Sequence, residues 1–275
     1  MPALNAITAD KLIRLIGTPN CPAIVDVRSD GAGLIPTSVR REAELVTQWG
    51  PRLDSDKVVV ACAHGGSRST GVAAWLRHQG LDAEILEGGF DAWVNAGLVV
   101  LNDDLLPPRD EAGRTRWVTR ARPKVDRIAC PWLIRRFVDP AAIFLFVPPA
   151  DVAEVAERFD AAPFDVDGVF WSHRGEHCSF DTMVEEIGLG GLEALRRLAL
   201  IVRGADTARP ELAPQAAGLL AASLGLSRMY ADDLEQLEAG MLLYDSFYRW
   251  CRDATDETHD WVSHQPKGAR HPVSA

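Results

Sequence analysis

Residues 1–101 predict an α/β domain built on a mostly parallel sheet, and residues 115–258 an α-rich α+β domain. Three observations carry this. Ala23–Val27, Val58–Ala61 and Ala83–Leu86 are short apolar runs without the alternation of a half-exposed strand, the pattern of parallel strands covered on both faces. Helix signals separate these runs. Beyond Ser179 only helical periodicity remains. At 275 residues the chain also exceeds the usual size of a single core, so two domains are expected.

In chain order, Thr8 is placed to cap a helix over Ala9–Ile16, closed by Gly17 and Pro19. The first two apolar strands follow, then a helical segment over Thr70–Arg77 that ends at Gly80. After the strand Ala83–Leu86 comes a short helix, Phe90–Asn95, stopped by Gly97. Residues 102–114, with Pro107, Pro108 and a run of charges, read as a linker. Arg116–Arg122 is strand-like. Lys124–Val138 is helical in character but holds Pro131, which lacks the N–H that a helix interior needs. Either Pro131 kinks the helix, or it opens a new one with Cys130 at its cap. Ile143–Val147 is an apolar strand ended by Pro148-Pro149, and Asp151–Phe159 an amphipathic helix. Helices are then expected over Asp181–Ile187, Leu192–Val202, Pro214–Leu224 and Ala231–Arg252. In the last, Leu234, Leu237, Met241, Tyr244, Phe247 and Cys251 recur at the three-four spacing of one buried face. Residues 259–275 form a polar tail.

Composition narrows the function classes. With 47% apolar and 25% charged residues, the chain is of the ordinary globular type. No apolar run approaches the roughly 18–20 residues of a bilayer span. Met1–Ala6 has neither the basic start nor the apolar stretch of a secretion signal. The five cysteines, at 21, 62, 130, 178 and 251, do not space like a disulfide framework. A cytoplasmic protein without a membrane partner is expected. The net charge of −10 argues against a surface that binds nucleic acid as a whole. Yet Arg109–Arg136 holds nine basic residues against three acidic ones. Such a stretch suits an oxyanion or a phosphate backbone, or else forms a solvated linker and helix surface.

The chemistry concentrates in Cys62-Ala63-His64-Gly65-Gly66-Ser67-Arg68-Ser69, directly after the buried-strand run Val58–Ala61. A small glycine-bearing loop between a strand and a helix is an anion cradle, because its N–H groups and the helix dipole point the same way. That field also favours thiolate over thiol, so Cys62 is expected to be nucleophilic near neutral pH. Leu86-Glu87-Gly88-Gly89-Phe90-Asp91-Ala92-Trp93 with Ala96-Gly97, and Ile24-Val25-Asp26-Val27-Arg28, complete a pattern over residues 1–101 that resembles rhodanese-like sulfurtransferase domains. One stretch departs from it: Gly33-Leu34-Ile35-Pro36-Thr37 stands where the family has glycine-His-Ile-Pro-glycine. The resemblance implies that Cys62 takes sulfur from a small-molecule donor such as thiosulfate, and passes it to a thiol or cyanide acceptor, with no cofactor. It gives Cys62 and Arg68 catalytic roles. The donor and the departing sulfite then fall to Ala63, His64, Gly65, Gly66, Ser67 and Ser69.

Arg68 lies six positions after Cys62, where many sulfurtransferase loops have five. The string therefore also fits C-x-x-G-x-x-R-S, the pattern of cysteine-dependent phosphatases, and some rhodanese-fold phosphatases and arsenate reductases share the longer loop. The extra residue widens the cradle for a tetrahedral anion that a guanidinium can grip by two oxygens. Ala61 stands where a histidine is usual, and no general acid is identifiable. Sulfur transfer, oxyanion binding or reduction, and phosphatase chemistry stay open at this point. His64 either tunes the thiolate or is a partly exposed loop residue. Asp26 and Arg28 either approach the loop or form a structural ion pair.

In the second half, Trp117-Val118-Thr119-Arg120, the run from Asp126 to Phe137, Ile201–Thr207 and Tyr244-Asp245 resemble the C-terminal domain of bacterial chromate-resistance proteins of the ChrB type. The resemblance covers residues 115–258 and implies a role in chromate response or resistance. Regulators of that family carry a DNA-binding region ahead of this domain; a rhodanese-like domain occupies that place here, so nucleic acid is not expected as a partner. The joint expectation is a sulfurtransferase linked to chromate resistance. Its rival is a chromate- or arsenate-binding, reducing or sensing protein that uses the same loop without sulfur transfer. His173-Arg174-Gly175-Glu176-His177-Cys178 concentrates ligand types, making His173, His177 and Cys178 candidates for a metal ion such as zinc, against a plain polar loop. Cys130 is either activated at a helix N-terminus or a packed core thiol. Arg203 and Asp206 are expected to pair near a helix end.

Overall fold

The computed structural model describes residues 5–258; the polar tail expected over 259–275 lies outside them. In the first half, strands β1 (Ala6–Ile7), β2 (Ala23–Asp26), β3 (Val39–Arg40), β4 (Lys57–Ala61) and β5 (Asp82–Leu86) form one sheet in the order β1-β5-β4-β2-β3. All its pairings are parallel. Helices α1 (Ala9–Ile13), α2 (Val46–Trp49), α3 (Ser67–His78) and α4 (Gly89–Asn95) connect and cover the strands. Neighbouring residues of one strand enter opposite cores. Ile24, Val59 and Ala61 pack with Leu12, Ile16 and Trp93, whereas Val25, Val58 and Val60 pack with Val72, Ala73 and Leu76 of α3. Burial on both faces is the physical reason these strands read as unbroken apolar runs.

The second half has a small parallel sheet of β6 (Arg116–Arg120), β7 (Ile143–Val147) and β8 (Ala162–Pro163), ordered β7-β6-β8. Helices α5 (Asp126–Leu133), α6 (Val152–Phe159), α7 (Ser179–Glu186), α8 (Glu193–Asp206), α9 (Ala216–Met229) and α10 (Asp233–Asp253) make up the rest. The helix α5 runs through Pro131 rather than restarting there, and widens into a π-helical stretch over Ile134–Val138. Cys130 is therefore an interior helix residue, not a cap. On α10 the buried face holds Leu237, Met241, Tyr244 and Cys251, but Leu234 is exposed, Phe247 is half-buried, and Tyr248 is buried. Among the described residues no helix is long and apolar enough to cross a membrane.

The two halves share a core: Leu12, Ile16 and Trp93 belong to one buried cluster with Trp117, Phe137 and Tyr248. Backbone bonds cross between them. Thr37 N–H donates to Phe137 O at 2.7 Å and Asn102 N–H to Ile187 O at 2.9 Å. The linker stretch is held from both sides, with Arg41 donating to Ala112 O at 3.0 Å and Arg109 to Val138 O at 3.1 Å. Thr37, which stands where the sulfurtransferase pattern ends in glycine, has φ +68, a conformation that favours glycine. Its N–H bond to Phe137 accompanies that strained backbone, so the departure sits where the second half docks.

Candidate functional site

The Cys62 loop lies at the C-terminal end of β4, the central strand, where ligands bind in open parallel sheets. The strand ends at Ala61 and α3 starts at Ser67, so residues 62–66 must turn the chain through a tight arc. Gly65, at φ +69, makes that arc possible. The loop's carbonyls are engaged from behind: Phe90 N–H donates to Cys62 O at 2.8 Å and Asp91 N–H to Ala63 O at 3.0 Å. Its N–H side is thereby left to the thiol. Gly66 N–H donates to Cys62 Sγ at 3.2 Å, and Ser69 Oγ lies 3.1 Å from the sulfur.

This environment sets the acidity of the Cys62 thiol. Burial pushes the Cys62 thiol up, but the Ser69 hydroxyl and the backbone N–H groups of Ser69, Gly66 and His64 outweigh it. The net result is a pKa lowered from the ordinary cysteine value. The N-terminus of the 12-residue α3 points at the same place and adds its positive end.

A cleft of about 280 Å³ opens over the sulfur, lined by Arg28, Ser29, Asp30, Cys62, Ala63, His64, Gly66, Ser67 and Arg68. Most of the residues singled out in the sequence thus meet there. Gly65 and Ser69 do not line it. A Cβ on Gly65 would stand 2.8 Å from Gly88 N, and Ser69 is wholly buried beside the sulfur. Arg68 does not close over Cys62. Its guanidinium donates to Val27 O at 3.4 Å and lies 3.8 Å from Glu44, at the rim. His64 is an exposed loop residue, with Nδ1 2.6 Å from Asp91 Oδ2. Asp26 and Arg28 form a buried ion pair at 2.7 Å, and Arg28 also donates to Gly33 O and stacks on the Phe90 ring. Sequence reasoning passed over Ser29 and Asp30. They directly follow Arg28 past the end of β2, and that position at the sheet's ligand-binding edge was the available signal.

In the second half, the three metal candidates are not grouped. Gly175, at φ +60, helps close a turn in which Arg174 and His177 exchange backbone hydrogen bonds. The turn leaves His177 exposed, while Cys178 is buried at the start of α7, where burial holds its thiol well above the ordinary range. Only His173 reaches a cluster of possible ligands among the described residues, and its neighbours there are aspartates. Cys130 is wholly buried, and burial followed by the charge of Asp126 raises its pKa, which makes it a core thiol. The expected Arg203–Asp206 pair is not formed. Arg203 instead makes a two-pronged bond to Asp181 on α7, at 2.9 and 2.7 Å, because α7 packs directly against α8. Eight of the nine basic residues of the 109–136 stretch are paired within the protein. Arg109, Arg114, Arg116, Arg120, Arg122, Arg127, Arg135 and Arg136 each have a carboxylate within ion-pair distance.

Comparison with known proteins matches the family described as ChrB, C-terminal domain, to residues 117–251, and the rhodanese-like domain to residues 8–96. Protein ChrB of Cupriavidus metallidurans is 38% identical over 147 residues, covering 52% of this chain and 43% of that protein. The chain thus spans less than half the length of this relative. Among solved structures, SSP1007 from Staphylococcus saprophyticus subsp. saprophyticus is similar at 30% identity and TM-score 0.31, covering 34% of this chain and 98% of that one. A rhodanese-like domain protein from Staphylococcus aureus is similar at 29% identity and TM-score 0.30, covering 33% of this chain and 91% of that one. The chain thus joins a rhodanese-like domain over residues 8–96 to a ChrB C-terminal domain over residues 117–251.

Proposed function

We propose that the first domain is a sulfurtransferase that carries sulfur as a persulfide on Cys62, and that the chain uses it in the response to chromate. The observation that carries this reading is the thiol itself. Cys62 has a lowered pKa, an N–H donor from Gly66 at 3.2 Å and an open cleft over its sulfur. The Cys62 thiolate attacks the outer sulfur of thiosulfate; an S–S bond forms to Cys62, and the bond to sulfite breaks with its electron pair leaving on sulfite. A thiolate or cyanide acceptor then attacks the terminal sulfur and returns Cys62 as thiolate. Loop N–H groups, led by Gly66, offset the charge on sulfur throughout. The step draws on no metal or redox cofactor. The link to chromate rests on the second domain's family and on the cysteine chemistry beside it.

The test is intact mass after thiosulfate, and again after cyanide. A gain of one sulfur atom that cyanide removes, absent in Cys62→Ser, is the expected result. A second reading is favoured by one observation: Arg68 lines the same cleft six residues after Cys62. In that reading a tetrahedral dianion such as chromate sits over Cys62 without sulfur transfer. If thiosulfate adds no mass while chromate shields Cys62 from alkylation, this second reading replaces the first.

A further inference from the structure

Asp126, His173 and Asp206 come from three separate elements: the first residue of α5, the loop before α7, and the last residue of α8. A ligand atom from each lies within 4.8 Å of the others. His173 Nε2 is 3.3 Å from Asp206 Oδ2, 3.3 Å from Asp165 Oδ1 and 3.6 Å from Asp126 Oδ2. Donor atoms held about 2.1 Å from one ion stand roughly 3–4 Å from each other, so these gaps fit a shared cation.

A second observation points to a missing partner. Asp126 is wholly buried, and its Oδ2 accepts the N–H groups of Ser179 and Phe180 at 2.6 and 3.3 Å. Its Oδ1 is buried with no hydrogen-bond partner at all. An oxygen of a buried carboxylate left in that state is costly unless something positive meets it. The available arginines do not. Arg120 and Arg127 reach Asp165 at 3.2 and 3.3 Å, which accounts for that acid and leaves Asp126 and Asp206 facing His173.

We propose that Asp126, His173 and Asp206, with Asp165 beside them, form a binding site for a divalent first-row transition cation. Two carboxylates and one imidazole suit Mn²⁺, Fe²⁺ or Zn²⁺ better than a soft or a purely oxygen-seeking ion. The half-exposed His173 ring provides the way in. The acidic surround repels chromate, so the site is distinct in chemistry from the Cys62 cleft, and it stands whether or not Cys62 transfers sulfur.

The test uses the full chain, stripped by a chelator and titrated with Mn²⁺ while free ion is followed by its paramagnetic resonance. One saturable Mn²⁺ per chain is expected, displaced by Zn²⁺ and unaffected by Cys62→Ser. Asp206→Asn and His173→Gln should each weaken it by at least about tenfold. In the unmodified protein, bound Mn²⁺ should broaden the His173 ring resonances before those of the other histidines, a readout that does not depend on how any variant folds. No saturable uptake, or His64 or His177 broadening first, overturns the proposal.

Discussion

The backbone N–H of Phe90 donates to the carbonyl oxygen of Cys62 at 2.8 Å, so the Cys62 loop hangs from the N-terminus of α4. The approach is close enough to require glycine next door. Gly89 has φ +64, and a Cβ there would collide with Cys62 O and stand 2.5 Å from Gly65 N and 2.7 Å from Ala63 O. Gly97 has nearly the same backbone conformation, φ +67, but open space around it. The pair separates strain from collision. Gly97→Ala should lower stability by about 1 kcal/mol and leave Cys62 reactivity intact. Gly89→Ala should lower stability by roughly 2–3 kcal/mol and slow Cys62 alkylation, because the loop itself must move. Urea unfolding and iodoacetamide kinetics read the two effects.

Ser69 offers the clearest pH signature. Its hydroxyl has one proton and two acceptors in reach, Cys62 Sγ and Gly66 O, both at 3.1 Å. Ionisation of Cys62 draws that proton to the sulfur, which favours thiolate and helps lower the pKa. Alkylation of the unmodified protein should rise with pH through an inflection below the ordinary cysteine value. Ser69→Ala removes the donor, so its inflection should move up, by up to about one pH unit. The variant should then be slower near neutral pH, by up to about tenfold, and equal well above both inflections. An unmoved inflection would show that the backbone N–H groups alone set the acidity.

Much of this arrangement could be read from the sequence, and the failures share a cause. Strands buried on both faces announce themselves as apolar runs, which is why β2, β4 and β5 were predictable while the two-residue strands β1, β3 and β8 were not. The Cys62 loop was visible because glycines and small residues are forced by local geometry. Side-chain pairing between distant elements leaves no such mark. Arg203 has Asp206 within one helical turn, yet bonds Asp181, 22 residues away. His173 and His177 are neighbours in sequence, yet the turn at Gly175 sends only His173 toward Asp126 and Asp206. The basic run left an anion-binding surface and a solvated one equally open, because its partners, among them Asp233, Glu238 and Asp245, lie about a hundred residues further on.

Asp245 tests how far that run is structural. Arg136 donates to both of its oxygens at 2.7 Å, and the buried indole of Trp132 donates to Oδ1 at 2.8 Å. Removing the carboxylate strands a guanidinium and an indole N–H at once. Asp245→Ala should lower stability by about 3 kcal/mol. Asp245→Asn, which can still accept from Trp132, should lose less, about 1–2 kcal/mol. Denaturant midpoints compare them. Near-equal, small losses would mean that the run is solvated surface after all.

Arg68 separates the two readings of the cleft. It sits at the rim, bonded weakly to Val27 O and near Glu44, and is free enough to swing toward a dianion. If its task is to attract thiosulfate, Arg68→Ala should raise KM about tenfold, the worth of one charge-assisted hydrogen bond, with kcat little changed. Arg68→Lys should recover part of that loss, since a point charge suffices for attraction. If Arg68 instead grips the anion at the sulfur, kcat should fall in both variants, because lysine lacks the planar fork. The KM-against-kcat split therefore reports where the anion sits. An effect confined to KM supports sulfur transfer with Arg68 as a binding residue, and a kcat effect that lysine does not rescue moves the site toward arginine-gripped oxyanion chemistry.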